Sequence, residues 1–224
     1  MDTTPQIAVA PSVTDSRAGI WFATPGGFTE LPVDVLLAGP DSAEADRLRL
    51  AVASLVDALP DGVTRQRFIA QLAHGQQLLR ALRDVGTVHC ALGIHRDDVT
   101  GGTGETLHSL FTVSWRDIAW APRSVSAARA VATADSHAHV EYLDLPCGPA
   151  AMGETVRAPS PGSDLPQTPL LQIHAYLPHP NHRRMAILTL SSPATQRRAQ
   201  YRAIVRNIAE LTSFTSPLGA AQSD

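Results

Sequence analysis

Apolar and polar side chains alternate with a period of two through much of the chain after residue 87, and elsewhere apolar residues recur at helical spacing. Val88-His89-Cys90-Ala91-Leu92-Gly93-Ile94 and Leu107-His108-Ser109-Leu110-Phe111-Thr112-Val113 flank a Gly-rich loop. Successive side chains of a strand point to opposite faces, so these runs predict a long β-hairpin. Residues 139–145 and 152–157 read as two further strands, and 170–177 and 185–191 as a last hairpin across Pro178-His179-Pro180-Asn181-His182. Pro25-Gly26-Gly27 between the β-prone runs 19–23 and 28–33 predicts an opening hairpin.

Helical spacing predicts four helices. The first follows Gly39-Pro40, where Asp41 stands three residues before Glu44 as in a capping box; Leu48, Val52, Leu55 and Leu59 form its stripe and Pro60 ends it. Thr64 caps a second, stapled by Val63 and Phe68, which runs through Leu72, Leu79 and Leu82 to a left-handed stop at Gly86. A short Ala-rich helix spans 122–134 with Ser124 as its cap. The last spans 193–214, with Tyr201, Ile204, Val205, Ile208 and Leu211 as a continuous apolar stripe. Burying each of those side chains stabilises by ~1.5–3 kcal/mol against ~0.3–1 kcal/mol for a surface charge contact. Packing therefore orients this helix, and Arg202 and Arg206 are expected to face outward. Residues 1–18 and 215–224 follow neither period and read as flexible tails around a single domain over 19–214. The order of elements predicts an α+β fold, an antiparallel β-sheet with helices packed on its faces.

Composition narrows the chemistry. With 44% hydrophobic and 17% charged residues in 224, the chain suits a packed core. Its net charge of -3 predicts no nucleic-acid partner and no attraction to anionic lipid. All 18 basic residues are Arg, which reads as the codon bias of a GC-rich genome. Without Lys there is no Schiff-base nucleophile, no pyridoxal-phosphate anchor and no phosphate loop ending in Gly-Lys-Ser/Thr. Cys90 and Cys147 have no zinc-type spacing, there is no signal-peptide run, and no apolar stretch approaches the ~20 residues of a membrane span. The expected address is cytoplasmic.

The segment Gly27-Phe28-Thr29-Glu30-Leu31-Pro32, the hairpin ending Ala186-Ile187-Leu188-Thr189-Leu190-Ser191 and the closing helix with Tyr201-Arg202-Ala203-Ile204-Val205 carry a resemblance. In element order, residues 19–214 resemble the Mog1/PsbP-like α/β/α sandwich. The resemblance implies a non-enzymatic module, since members serve as adaptors, photosystem extrinsic subunits, lipoproteins and secretion-effector chaperones. No site residue carries over, and no Cys near the start matches the lipidated one of the lipoprotein branch.

Among nine His, the best metal constellation is His137-x-His139-x-Glu141, which strand geometry would put on one face with the imidazoles ~6.7 Å apart. The bland alternative is a solvated strand face alternating with Val140 and Tyr142. His139-x-Glu141 before Pro146-Cys147 echoes the nucleobase deaminases, but Ala150 stands where a second Cys is needed. His174, His179 and His182 cluster around the last hairpin and are more simply solvated loop residues. Cys147 is a nucleophile only if a His meets it in space. Asp97-Asp98-Val99-Thr100-Gly101-Gly102-Thr103-Gly104 has the glycines of a phosphate cradle but joins two strands, which predicts a hairpin tip. Arg198, Arg202 and Arg206, with Trp115 and Trp120, are candidate partner-binding residues against solvated or core readings. The expected function is a cofactor-free protein-binding module, an adaptor or chaperone with secretion or transport associations. Its rivals are a small metal-dependent enzyme using His137, His139 and Glu141, and a small-molecule binding domain using the concave side of the sheet.

Overall fold

The computed structural model describes residues 19–31, 86–97, 106–133, 137–158 and 168–215, together with 8–9, 41–43, 46, 62, 66, 102 and 104. The helices expected over 41–59 and 63–85 lie almost wholly outside the described residues. Of their few described positions, Ala43, Asp46, Gly62 and Gln66 are helical, and the Asp46 amide donates to the Ser42 carbonyl at 3.1 Å.

Two short strands, β1 (Ala8–Val9) and β2 (Ala23–Thr24), pair with each other, so two residues of the expected N-terminal tail are structured. The opening hairpin does not form as expected. Pro25-Gly26-Gly27 turns the chain, but β3 (Phe28–Leu31) leaves β2 and pairs instead with β4 (Thr87–Arg96). The long hairpin joins β4 to β5 (Thr106–Asp117) with Cys90 opposite Thr112 and Leu92 opposite Leu110. Gly86, which precedes it, has φ +72°, the left-handed geometry expected of a helix stop.

After β5 the chain crosses the sheet through helix α1 (Arg123–Thr133) to the far edge. The Ser126 amide donates to the Pro122 carbonyl in its first turn, and Ser124 lies inside the helix, not at its cap. Strands β6 (His139–Leu145), β7 (Gly148–Arg157), β8 (Leu170–Pro178) and β9 (Arg184–Ser192) then return in successive antiparallel pairs. Strand β7 begins four residues earlier than the alternation indicated, because Pro146-Cys147 forms a tight turn that Gly148, at φ +116°, allows. The seven-stranded antiparallel sheet has the order β3-β4-β5-β9-β8-β7-β6. Strand β9 joins its two halves.

A 3₁₀ turn (Thr195–Arg197) leads into helix α2 (Arg198–Glu210), shorter than its apolar stripe suggested. Tyr201, Val205 and Ile208 are buried against Phe111, Ile173, Leu188 and Leu190 in the main core, whereas Leu211 ends the helix in solvent, 63% exposed. Helix α1 buries Ala127 and Val131 on the opposite face against Ala151, Tyr176, Met185 and Ile187. The result is an α+β fold whose antiparallel sheet carries a helix on each face. Trp21 and Ser213 exchange backbone hydrogen bonds of 2.8 Å, tying the segment before β2 to the chain just after α2.

Candidate functional site

The α1 side of the sheet changes character along each strand. On β9, Met185 and Ile187 meet α1, but the next residues of the same parity are Thr189 and Ser191. On β5 the corresponding series runs Ser114, Thr112, Leu110, and on β8 it runs Tyr176, His174, Gln172. The opposite parity of β8 and β9 is mostly aliphatic where α2 packs on it, and that of β5 places Phe111 and Val113 in the same core. Where α1 stops, at Thr133, a cavity of about 790 Å³ opens over these hydroxyl, amide and imidazole side chains. Such a volume falls within the range of small-molecule sites, ~300–1,000 Å³.

Cross-strand pairing arranges the floor in rows. Thr112, Thr189, His174 and Gly153 lie side by side across four strands, and Leu110, Ser191, Gln172 and Thr155 form the next row. His174 Nδ1 lies 3.0 Å from Thr189 Oγ1, and Gln172 Nε2 donates to Ser191 Oγ at 3.4 Å. Gly153 has no side chain, and His137 occupies the space above it. The His137 ring stands 5.9 Å from that of His174, and its Nε2 lies 3.4 Å from the Tyr176 hydroxyl. Its Nδ1 is buried with no hydrogen-bond partner among the described residues. Arg116 and Arg157 line the two ends of the cavity, and no Asp or Glu lines it among the described residues.

Burial pushes the His174 imidazole down to about 4, helped by His137 and Arg157, so at neutral pH this ring is uncharged. The His174–Thr189 contact is therefore one between a neutral ring and a hydroxyl. Burial likewise raises the Tyr176 phenol, opposed by Arg116 and Arg157. The arrangement is suited to binding through hydrogen bonds and positive charge.

The structure does not bring His137, His139 and Glu141 together. His139 and Glu141 share the α2 side, where His139 Nε2 lies 2.6 Å from Glu141 Oε1 and Arg206 donates to Glu141 Oε2. The bond from His139 holds the Glu141 carboxyl below its usual range, with burial opposing and Arg206 assisting. His137 precedes the first strand residue, escapes the strand alternation and turns to the other face. Among the described residues no three of His, Cys, Asp and Glu are grouped to hold a metal ion. The second histidine group is also dispersed. His174 lines the cavity, His179 packs 5.0 Å from the Phe214 ring, and His182 bonds the Ala121 carbonyl through Nδ1.

The other candidates are engaged in structure. Arg202 and Arg206 do not face outward, because one flank of α2 overhangs the carboxylates of β6 and β7. Glu154, 1% exposed, has Arg198 at 3.3 Å and Arg202 at 3.4 Å, while Arg206 pairs with Glu141. Trp115 lies under the Arg184 guanidinium at 4.1 Å, whereas Trp120 is 65% exposed beside His182. Cys147 sits in the β6–β7 turn, where Arg123 donates to its carbonyl; burial raises its thiol and Arg123 opposes that rise. Cys90 is buried and pushed up to about 11, and both thiols are free. At the glycine-rich loop, Asp97 is buried and bound by Arg197 at 2.7 Å, so this residue anchors the hairpin tip to the turn before α2.

Arg116, Arg157, Tyr176 and Thr189 were not singled out by sequence reasoning. The available signal was the run of hydroxyl and amide residues at one parity of three neighbouring strands. Compared with family models, with curated proteins and with solved structures, the chain matches none of them.

Proposed function

We propose that this chain is a non-catalytic binding domain whose site is the cavity beside α1, built to take a small molecule. The observation that carries the reading is the polar floor of Thr112, Thr189, His174 and Gln172 on a face that α1 leaves uncovered. Such hydroxyl, amide and imidazole groups can hydrogen-bond a ligand while its apolar part packs on Leu92, Leu110 and Ile187. A domain of the Mog1/PsbP-like kind acting in the cytoplasm is consistent with this reading. A thermal-shift screen of small molecules tests it, since a ligand that binds only the folded state raises the melting temperature with its concentration. Compounds that stabilise the wild type and not a Gln172→Trp variant are expected. If every compound acts equally on both, the cavity is not the site.

A second reading, a protein-binding adaptor or chaperone, is favoured by Trp120, whose ring is 65% exposed. Exposed Trp is enriched at the centres of protein interfaces. A Trp120→Ala variant that loses every partner recovered by the wild type from its native host would support it, and equal recovery would remove it.

A further inference from the structure

The cavity is cationic at its ends and apolar along one side, and that asymmetry names a class of ligand. Arg116 lies at the end of β5 opposite Met185, and Arg157 at the end of β7 opposite Leu170, at opposite ends of the floor. Both guanidiniums nevertheless act on the Tyr176 phenol, and Arg157 also acts on His174, so their fields overlap in the centre. Neither Arg is paired with a carboxylate among the described residues, in contrast to Arg197, Arg198, Arg202 and Arg206, which all are. His137 and His174 add ring nitrogens on the β7–β8 side. His174 already uses Nδ1 on Thr189, which leaves Nε2 as the nitrogen that can meet a ligand. Across the floor, Leu92 and Leu110 sit opposite each other on β4 and β5 and form the apolar side.

We infer that this site binds an amphiphilic anion, its carboxylate, phosphate or sulfonate head held toward Arg157, His174 and His137, and its apolar body laid along Leu110 and Leu92. This rests on the cavity being the binding site, as proposed above. A guanidinium that lacks a carboxylate partner forms charge-assisted hydrogen bonds with an oxyanion. A cationic ligand would face two guanidiniums, Arg116 and Arg157, with no described acid lining the cavity to offset them.

Two fluorescent probes of one skeleton separate the claims: 8-anilinonaphthalene-1-sulfonate, which is anionic, and N-phenyl-1-naphthylamine, which lacks the sulfonate. Titrated into the full chain, the sulfonate probe is expected to bind at least fivefold tighter. Arg116→Gln and Arg157→Gln change exposed side chains and should fold as the wild type. Arg157→Gln is expected to weaken the sulfonate probe three- to tenfold, Arg116→Gln less, and both to leave the neutral probe within twofold. Gln172→Trp fills the floor and should abolish binding of both probes. Decanoate is expected to displace the sulfonate probe at concentrations where inorganic phosphate does not, since phosphate lacks the apolar body. If the two probes bind equally and neither Arg variant matters, while Gln172→Trp still blocks both, the cavity binds ligands but the anion assignment is wrong. If phosphate displaces as well as decanoate, the apolar half of the assignment is wrong. If binding survives Gln172→Trp, or neither probe binds at all, the cavity reading and this inference fall together.

Discussion

The His137 ring lies so close over Gly153 that a Cβ on that glycine would stand 2.6 Å from Cε1 and 2.7 Å from both ring nitrogens. A backbone obstacle would make any side chain there costly, but this obstacle is an imidazole that can turn. Gly153→Ala is therefore expected to cost no more than ~1 kcal/mol of stability while moving His137 away from His174 and Tyr176. Gly86 gives the contrast. Its φ is +72°, and a Cβ would stand 2.7 Å from the Trp115 carbonyl oxygen, a backbone atom whose own amide donates to Gly86. Gly86→Ala combines left-handed strain with that clash and is expected to cost ~2 kcal/mol or more. Urea midpoints of both variants, with imidazole NMR shifts for His137, check the pair. Equal losses would mean that the His137 ring is held as rigidly as backbone.

Helix α2 sets a second test. Arg198, Arg202 and Arg206 are spaced four residues apart, and the first two meet a single buried carboxylate, Glu154. Removing one partner of a buried pair leaves the other charge uncompensated, which costs ~3–5 kcal/mol when both are fully buried. Arg202 is 25% exposed on its side chain and Arg198 is 49% exposed, so the loss should be graded by exposure. Arg202→Met is expected to cost ~2 kcal/mol and Arg198→Met ~1 kcal/mol or less. Adding Glu154→Leu to Arg202→Met should recover part of the loss, because the orphaned carboxylate goes with it. Denaturant unfolding of the three variants reads this directly, and equal costs for the two Arg variants would contradict the grading.

These elements also show what the sequence made legible. The β4–β5 and β8–β9 hairpins were readable from their period of two, and a slip of one residue would turn Phe111 or Leu188 out of the core; on β4, however, the register breaks between Thr87 and His89, and Val88 and Ile94 face outward while His89 and Ala91 are buried. The apolar stripe of α2 was readable for the corresponding reason at helical spacing. Its arginines were misread because a stripe defines which side is buried and not what its flank overhangs; Glu154 and Glu141 reach that flank only through the β6–β7 pairing. The metal triad failed at one residue, since the i, i+2 rule requires a strand and β6 begins at His139, two residues past His137. The cavity was hidden because its existence depends on α1 ending at Thr133, which leaves Thr189 and Ser191 uncovered while covering Met185 and Ile187. Parity marks those residues as neighbours, but only the packed helix decides which of them stay open.

The buried histidines make stability depend on pH in a defined window. His89, 5% exposed, lies edge-on to Phe22 at 4.9 Å with Nδ1 3.4 Å from Glu30, and burial pushes it down to about 4. An ion pair with Glu30 would raise it; burial wins, and the contact is that of a neutral ring. His174 is held at about the same value. Above pH 6.5 neither the folded nor the unfolded chain protonates these rings, and their contribution to stability is complete. Between 6.5 and 4 the unfolded chain takes up the protons and the folded chain does not, so stability falls as pH falls. Below 4 both states are protonated and these two residues add no further loss. Each ring removes at most about 3 kcal/mol across the window, and His95 and His179, lowered by burial, act in the same direction. Urea midpoints at pH 7.5, 6.5, 5.5 and 4.5 are expected to be flat over the first step and to decline over the next two. His89→Leu should lower stability at pH 7.5 and flatten the decline by roughly a third to a half, because one of the two strongest contributors is gone. A variant that keeps the wild-type slope would show that His89 takes its proton in the folded chain at ordinary pH, and its burial among Phe22 and Phe111 would then need a charged partner.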